Sequence, residues 1–173
     1  MTVTRLISVA DASELASLAV ANREFMRPFE PPRTDSFFTP DGQLAAIEDA
    51  LDRHAQGTTL PHVITDSGRI AGRITLNGIV RGPFLSCSVG YWVSGDANGR
   101  GLATAALGEI IGIAFGRLGL HRIQAETLLH NAGSQRVLAR HGFERIGMAP
   151  AYLHIGGAWQ DHILFQLLNP AMS

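Results

Sequence analysis

Apolar residues in the first third of the chain recur at the spacing of amphipathic helices. From Asp11 onward the apolar positions have helical periodicity, and Asp11 and Glu14 have the spacing of a capping box that begins the helix. Thr39 followed by Pro40 predicts the start of a second helix, which ends near Gly57. The segment between these helices, FMRPFEPPRTDSFFTP, is rich in proline and phenylalanine and is predicted to form an irregular lid.

In the middle of the chain the pattern changes to the alternation of β-strands. The segments PHVIT, RIAGRITL and FLSCSVGYWV are separated by turns and predict three neighbouring antiparallel strands, after a short first strand over residues 5–9. A glycine-rich turn, SGDANGRGLA, then leads into a helix that ends at Gly119. A strand, a short helix over residues 132–140 and two final strands joined at Gly156 and Gly157 complete the chain.

The order of these elements predicts the fold class. Three neighbouring strands precede a strand, helix, strand crossover, which indicates an α/β fold with a mixed, mostly antiparallel central sheet flanked by helices. Parallel pairing is expected only across that crossover. At 173 residues the chain is expected to form a single domain over residues 1–173.

Composition excludes several classes of function. The net charge is −1, and the arginines are scattered rather than gathered in a basic stripe, which argues against nucleic acid as a ligand. The sequence has no lysine, which excludes Schiff-base chemistry. One cysteine, no leader pattern and no long apolar run predict a cytoplasmic protein without a membrane segment. No histidine or carboxylate grouping has metal-ligand spacing, so no metal is expected.

Two further patterns indicate packing rather than chemistry. Cys87 alternates with apolar neighbours in its strand, which predicts a buried thiol rather than a nucleophile. Gly108, Gly112 and Gly116 lie four residues apart on one helix, which predicts that a neighbouring element approaches this stripe closely.

Two segments carry candidate chemistry. The strand GYWV and the turn SGDANGRGLA open a helix, a geometry that suits a pyrophosphate, although a plain strand-to-helix turn has the same composition. The spacing matches neither the Walker A motif nor the dinucleotide-binding fingerprint. In the second segment, HNAGSQRVLARHGF, Asn131 and Ser134 lie three residues apart at a helix entry, and a capped helix is the alternative interpretation.

Taken together, the two segments resemble the GNAT superfamily of N-acetyltransferases, in which a Gln/Arg-x-x-Gly-x-Gly/Ala loop precedes an Asn-x-x-Ser/Ala motif and a Gly-Phe pair. The matching positions here are Asn98, Gly101, Ala103, Asn131, Ser134, Gly142 and Phe143. The surrounding sequence resembles the branch that acetylates N-terminal Ala or Ser of ribosomal proteins. The resemblance covers roughly residues 5–168 and implies a sheet with a splayed strand pair at an acetyl-CoA site.

The resemblance also implies which residues bind acetyl-CoA. The backbone of Trp92 and Val93 is expected to pair with the pantetheine arm, and the loop over residues 99–104 to cradle the pyrophosphate. The predicted CoA-binding residues are Trp92, Val93, Asn98, Gly99, Arg100, Gly101, Leu102, Ala103, Thr104, Asn131 and Ser134. Asn98 replaces the Gln or Arg of the family motif, which changes one side-chain contact and leaves the backbone cradle intact.

By the same resemblance, the amine attacks the thioester directly in a ternary complex, and CoA leaves as a thiolate. Many family members have a tyrosine four residues after the Asn-x-x-Ser/Ala motif that protonates the thiolate, but Leu138 occupies that position here. Ser134 is therefore predicted to be catalytic as a hydrogen-bond donor to the thiolate. The alternative is that Ser134 only contacts CoA or caps the helix.

Four residues are candidates for the general base that accepts the amine proton: Glu126, His154, Asp161 and His162. Glu126 is the predicted catalytic base, although the strand pattern by itself favours surface exposure of its side chain. Both histidines are expected to be solvated. Asp161 and His162 are strand neighbours that point to opposite faces, so at most one of them reaches the cleft.

The acceptor is the least constrained part of the prediction. Phe29 and Arg27, both in the lid, are the predicted acceptor-binding residues, and core packing is the alternative for the ring. The predicted acceptor is a primary amine, first of all a protein or peptide N-terminal α-amine. The alternatives are a small amine such as an amino acid or antibiotic, and a CoA-binding module without catalysis. Monomer and homodimer both fit the sequence.

Overall fold

A computed structural model describes residues 1–172 and divides them into seven strands and five α-helices. The strands are β1 (Thr4–Leu6), β2 (Leu60–Asp66), β3 (Arg69–Val80), β4 (Ser86–Val93), β5 (Arg122–Leu128), β6 (Glu144–Ile155) and β7 (Ala158–Leu168). The helices are α1 (Ala12–Ala21), α2 (Arg23–Met26), α3 (Pro40–Ala55), α4 (Leu102–Gly112) and α5 (Ala132–Arg140). Short 3-10 turns lie at Val9–Asp11, Asp35–Phe38 and Gly95–Ala97, and a π-helical turn at Ile113–Arg117 extends α4.

Side-chain caps explain where two of the helices begin. Thr39 accepts a hydrogen bond from the N–H of Gly42 at 3.1 Å, with Pro40 at the first helical position, as predicted for α3. Asn131 accepts from the N–H of Ser134 at 3.2 Å and caps α5. Both helix starts therefore follow from short polar residues that satisfy free N–H groups.

The predicted capping role of Asp11 is wrong. The capping box belongs to Ser8, which is the N-cap of the Val9–Asp11 turn. The carboxylate of Asp11 accepts from the N–H of Ser8 at 2.8 Å and pairs with Arg5 at 2.8 Å. The box thus begins three residues earlier than the sequence pattern indicated, and Asp11 supplies its acidic end.

All seven strands form one sheet in the order β1-β2-β3-β4-β5-β7-β6. Every neighbouring pair is antiparallel except β4 and β5, which are joined by the crossover through α4. The predicted α/β class, the mixed, mostly antiparallel sheet and the position of the single parallel pair are confirmed. The short helix α2 is the one α-helical element that the sequence pattern did not separate from the lid.

The parallel pair β4 and β5 is joined over only part of its length. Ser86, Cys87 and Ser88 pair with Arg122, Ile123 and Gln124, and the pairing stops there. Beyond Ser88 the two strands diverge, while β4 stays paired to β3 up to Val93. This splay confirms the predicted separation of two central strands. It leaves the backbone groups along one edge of β4 without a strand partner.

Each face of the sheet carries its own apolar cluster. On one face, Leu107 and Ile110 of α4 pack on the central strands, and Cys87 is buried among them, as predicted. On the other face, Leu15 of α1 and Ile47 of α3 pack on β2 and β3. Burial of these side chains fixes which face of each strand looks toward which helix. Among residues 1–172, no helix is long and apolar enough to span a bilayer.

The glycine stripe on α4 packs closely at only one of its three positions. A Cβ at Gly108 would lie 3.1 Å from the ring of His141, so a side chain there would displace a neighbour. Gly112 and Gly116 are exposed, and a Cβ at either would meet nothing within 4 Å. The predicted close approach is therefore wrong for Gly112 and Gly116, because this side of the helix faces solvent.

Candidate active site

A cleft of about 640 Å³ lies where β4 and β5 diverge. Its walls come from the end of β4, the glycine-rich loop with the start of α4, β5, α5 and the β6–β7 hairpin, and Phe25, Met26 and Phe29 line it from the lid. This volume falls within the range of small-molecule and cofactor sites. The cleft is thus formed by the splay of the sheet.

The glycine-rich loop presents the N-terminus of α4 to the cleft. Gly99 and Gly101 have φ values of +75° and +81°, in the left-handed region that favours glycine. No side chain caps α4, and its first turn contains no acidic residue. The first N–H groups of the helix are therefore free to bind an anion, and the helix dipole favours negative charge there.

Two arginines of α5 add positive charge to the same region. Arg136 and Arg140 both line the cleft and lie four residues apart on one helical face. Within residues 1–172 neither takes part in an ion pair, so both are available to phosphate groups. Sequence reasoning missed them. Their i, i+4 spacing in the helix that follows Asn131 could have indicated that both arginines lie on one face of that helix.

The structure brings together every predicted CoA-binding residue except Arg100. The cleft is lined by Trp92, Val93, Asn98, Gly99, Gly101, Leu102, Ala103, Thr104, Asn131 and Ser134. The guanidinium of Arg100 instead pairs with Asp66 at the turn between β2 and β3, so its side chain points away from the cleft. Trp92 and Val93 lie beyond the end of the β4–β5 pairing, where the backbone of β4 is open on that side.

The cleft passes through the sheet from one face to the other. Ser88 and Gln124 are direct partners in the β4–β5 ladder, and strand alternation places Glu126 on their face of the sheet. By the same alternation Tyr91 lies on the opposite face, where it packs against the α4 cluster. Both side chains nevertheless line the cleft. Two reactants can therefore approach its centre from opposite faces of the sheet.

Glu126 and His162 lie together on the face opposite α4. Leu128 pairs with His162 and Glu126 with Leu164, so the two side chains are near neighbours across β5 and β7. Burial raises the pKa of Glu126, and the neighbouring His162 acts in the opposite direction. The expected surface exposure of Glu126 is wrong, because the splay turns this part of β5 into a cleft wall.

The expected solvation of His162 is also wrong, since only 3% of the residue is exposed. Its Nδ1 lies 3.0 Å from the carbonyl oxygen of Gln160. A carbonyl only accepts, so Nδ1 carries a proton, which leaves Nε2 as the ring nitrogen that is able to accept one. His162 can therefore accept a hydrogen bond or a proton within the cleft.

The other two candidate bases do not reach the cleft. His154 is exposed and stacks edge-on against Trp159, with ring centroids 5.6 Å apart. Asp161 is exposed, and its carboxylate accepts from the N–H of Ala151 at 2.8 Å. The prediction that at most one of Asp161 and His162 faces the cleft is thus confirmed, and His162 is that residue.

Ser134 faces Tyr91 across the cleft. The phenol oxygen of Tyr91 lies 2.9 Å from Ser134 Oγ and 3.3 Å from the Ser134 carbonyl oxygen, which can only accept. Burial raises the pKa of Tyr91 to about 12, with the Ser134 contact acting in the opposite direction. The sequence did not reveal Tyr91 as a site residue, because it belongs to an alternating series of strand residues that are all predicted to pack in the core. Leu138 is fully buried.

The lid separates the two predicted acceptor-binding residues. Phe29 lines the cleft beside Phe25, with ring centroids 6.3 Å apart, and both rings are partly exposed. Arg27 is exposed, pairs with Glu24 at 3.1 Å and lines a second pocket of about 290 Å³ beside the β6–β7 turn. The structure thus places Phe29 at the cleft and Arg27 outside it.

Known proteins resemble this chain in sequence over almost its whole length. The sequence profile of the acetyltransferase (GNAT) domain matches residues 2–144. The ribosomal protein uS5-alanine N-acetyltransferase of Escherichia coli is 36% identical over 170 residues, which cover 97% of this chain and 88% of that protein.

Two solved structures share both the fold and part of the sequence. The ribosomal-protein-S5-alanine acetyltransferase of Vibrio fischeri superposes with a TM-score of 0.93 at 34% identity, covering 98% of this chain and 94% of the other. RimJ of Mycobacterium smegmatis, in complex with CoA-disulfide, superposes with a TM-score of 0.94 at 30% identity, covering 98% and 82%.

Proposed function

The chain belongs to the acetyltransferase (GNAT) domain family and is an N-acetyltransferase, and we propose that its acceptor is the N-terminal α-amine of a protein. The observation that supports this acceptor most is the cleft that passes through the sheet. One face carries the anion-binding loop for the donor, and the other carries Glu126 and His162 beneath the lid. The names of the E. coli and V. fischeri proteins, which specify ribosomal-protein alanine, point the same way.

The acceptor side of the cleft is open and apolar at its rim. Phe25, Phe29 and Leu153 line it and are each between 37% and 41% exposed, so the rim is not closed over a small ligand. The β6–β7 turn contacts the lid, where the N–H of Gly156 donates to the Glu30 carbonyl at 3.0 Å. A polypeptide N-terminus can enter through this rim while the rest of the chain stays outside.

On the donor side, acetyl-CoA supplies the thioester. The uncapped N-terminus of α4 with Arg136 and Arg140 would hold its phosphates, and the open edge of β4 at Trp92 and Val93 would pair with its pantetheine arm. The amine nitrogen attacks the thioester carbonyl, and the electron pair of the broken C–S bond leaves with the sulfur. Glu126, or water held by Glu126 and His162, takes the amine proton.

The raised pKa of Glu126 suits it to this role. A carboxylate whose pKa lies above its ordinary value is a stronger base, and its pKa is closer to the α-amine pKa of about 8. Because an α-amine is already partly neutral at pH 7, the base only needs to receive the proton as the C–N bond forms. Ser134 would then donate a hydrogen bond to the departing thiolate.

The acceptor is tested with a matched set of amines and acetyl-CoA, measuring thiol release and product mass. One peptide begins with alanine and contains no lysine, and its partner has the same sequence with a blocked N-terminus and one added internal lysine. A third arm contains free amino acids and aminoglycosides. We expect acetylation of the peptide with the free N-terminus alone. Reaction confined to the small amines or to the lysine side chain would contradict the proposed acceptor.

A further inference from the structure

Tyr91, whose hydroxyl pairs with that of Ser134, has no role in the general reaction described above. The two oxygens lie 2.9 Å apart, and Val89, Ala125 and Val137 line the same cleft. A phenol hydroxyl in such apolar surroundings costs free energy unless it is hydrogen-bonded. The pair therefore satisfies Tyr91, and at the same time it fixes the direction in which Ser134 can donate.

We infer that Tyr91 is a positioning residue for the departing thiolate: it donates its hydrogen bond to Ser134 Oγ and so leaves the hydroxyl proton of Ser134 free for the sulfur of CoA. The inference rests on the proposed attack on acetyl-CoA in this cleft. It assigns a role to a residue of β4 on the α4 face of the sheet, where the donor is predicted to bind.

The argument depends on the number of protons available. A serine hydroxyl has one proton and two lone pairs, so Ser134 can donate to only one partner at a time. If Ser134 donated to Tyr91, no proton would remain for the thiolate. Tyr91 also has only one proton, and its oxygen lies 2.9 Å from Ser134 Oγ and 3.3 Å from the Ser134 carbonyl, so Tyr91 is the donor in both contacts when it shares that proton between them. Ser134 Oγ then accepts on one lone pair and donates to the sulfur.

No full proton transfer is needed at this step. When the C–S bond breaks, its electron pair moves to the sulfur, which accepts the hydrogen bond of Ser134 as a thiolate and is protonated afterwards by water. Burial raises the pKa of Tyr91 to about 12, so the phenol keeps its proton throughout the neutral and mildly alkaline range. Leu138 is fully buried and offers no donor, which leaves this role to the Tyr91–Ser134 pair.

The first test is a pH titration of the thiol of CoA bound to the enzyme. The ultraviolet absorbance of the thiolate is the signal that reports its ionisation. Tyr91→Phe, Ser134→Ala and the double variant are compared with the wild type. We expect each single variant to raise the thiol pKa by about one unit, and the double variant to raise it no further. The thiol of Cys87 does not interfere, because burial raises its pKa to about 12.

The other charged and titratable groups that line the cleft are the same in all of these proteins. They are Glu126 on β5, His162 on β7, and Arg136 and Arg140 on α5. The titration uses CoA without any acceptor, so an error in the acceptor assignment would leave its result unchanged. Urea unfolding of each variant verifies that the folded state is retained.

The second test separates positioning from simple packing by kinetics. With saturating acceptor, Tyr91→Phe is expected to lower kcat about tenfold or more while the KM for acetyl-CoA changes little. Ser134→Thr, which keeps the hydroxyl, is expected to restore most of the activity lost in Ser134→Ala. Ser17→Ala removes an exposed α1 hydroxyl as a control. An unchanged thiol pKa and kcat in Tyr91→Phe, or additive losses in the double variant, would overturn the inference.

Discussion

Replacement of Gly101 by alanine tests whether the loop conformation, rather than free space, determines CoA binding. A Cβ at Gly101 would meet no atom within 4 Å, so the substitution creates no steric clash. The φ value of +81° is the only obstacle, because an L-residue in the left-handed region is strained by about 1–2 kcal/mol. If the loop relaxes in the free protein, binding must restore the strained form.

That strain converts directly into a change in affinity. A cost of about 1–2 kcal/mol corresponds to a rise in the Kd for acetyl-CoA of about 5- to 30-fold. The assay is isothermal titration calorimetry with acetyl-CoA, which needs no acceptor. Gly101→Trp, which adds both the strain and a bulky side chain at the helix N-terminus, is expected to abolish detectable binding.

The matched control is Gly112→Ala on the same helix. Gly112 is exposed, has φ −58° and ψ −41°, and a Cβ there also meets nothing within 4 Å. Alanine at this position is expected to stabilise the protein by about 1 kcal/mol in urea unfolding and to leave the Kd unchanged. Wild-type affinity in both Gly101→Ala and Gly101→Trp, or equal weakening in Gly101→Ala and Gly112→Ala, would refute the claim that the left-handed loop forms the anion site.

Two further predictions concern protonation. Glu126→Gln is expected to lower kcat/KM at neutral pH by about 10²- to 10⁴-fold. It is also expected to reduce the slope of log kcat/KM against pH on the acidic side from two to one, because only the acceptor amine then titrates. Asp161→Asn is the control and is expected to keep the wild-type pH profile. Burial, helped by the positive charge of Arg117, lowers the pKa of His62 in the folded protein to about 4. As the pH drops from 6.5 to about 4, His62 therefore binds a proton in the unfolded chain but not in the folded protein, and the free energy of unfolding falls. The free energy of unfolding is expected to fall by about 3 kcal/mol over this pH range in the wild type, and His62→Leu is expected to lack this fall when both are measured by urea unfolding. Parallel plots of unfolding free energy against pH for the two proteins would contradict this prediction.

The fold was predictable because its signals are local and agree with one another. Alternating strands, the caps at Thr39 and Asn131 and the strand, helix, strand crossover each specify a short segment, and connection rules then limit the topology. The capping box was misplaced by three residues, because Ser8 and Asp11 satisfy the same spacing rule as Asp11 and Glu14. The ion pair of Asp11 with Arg5 supports the solution that begins at Ser8.

The site was predictable only where backbone geometry defines it. Glycines and a helix start specify the anion loop, so Gly99 and Gly101 could be found from the sequence. Strand alternation gives the two faces of β5 and β7 but not which face is covered, so no short pattern reveals the burial of Glu126 and His162. Tyr91 was not predicted as a site residue for a similar reason, since strand alternation places it among residues that are expected to pack in the core.

The opening through the sheet places the proposed donor and acceptor surfaces on different elements of the fold. Under the proposed function, loop and helix residues on one face would set the affinity for the donor, while the lid and the β6–β7 hairpin on the other face would meet the acceptor. Substitutions in the lid would then change which amine is recognised without disturbing the proposed CoA cradle. A scaffold of this kind can diversify its acceptors one surface at a time while its chemistry stays constant.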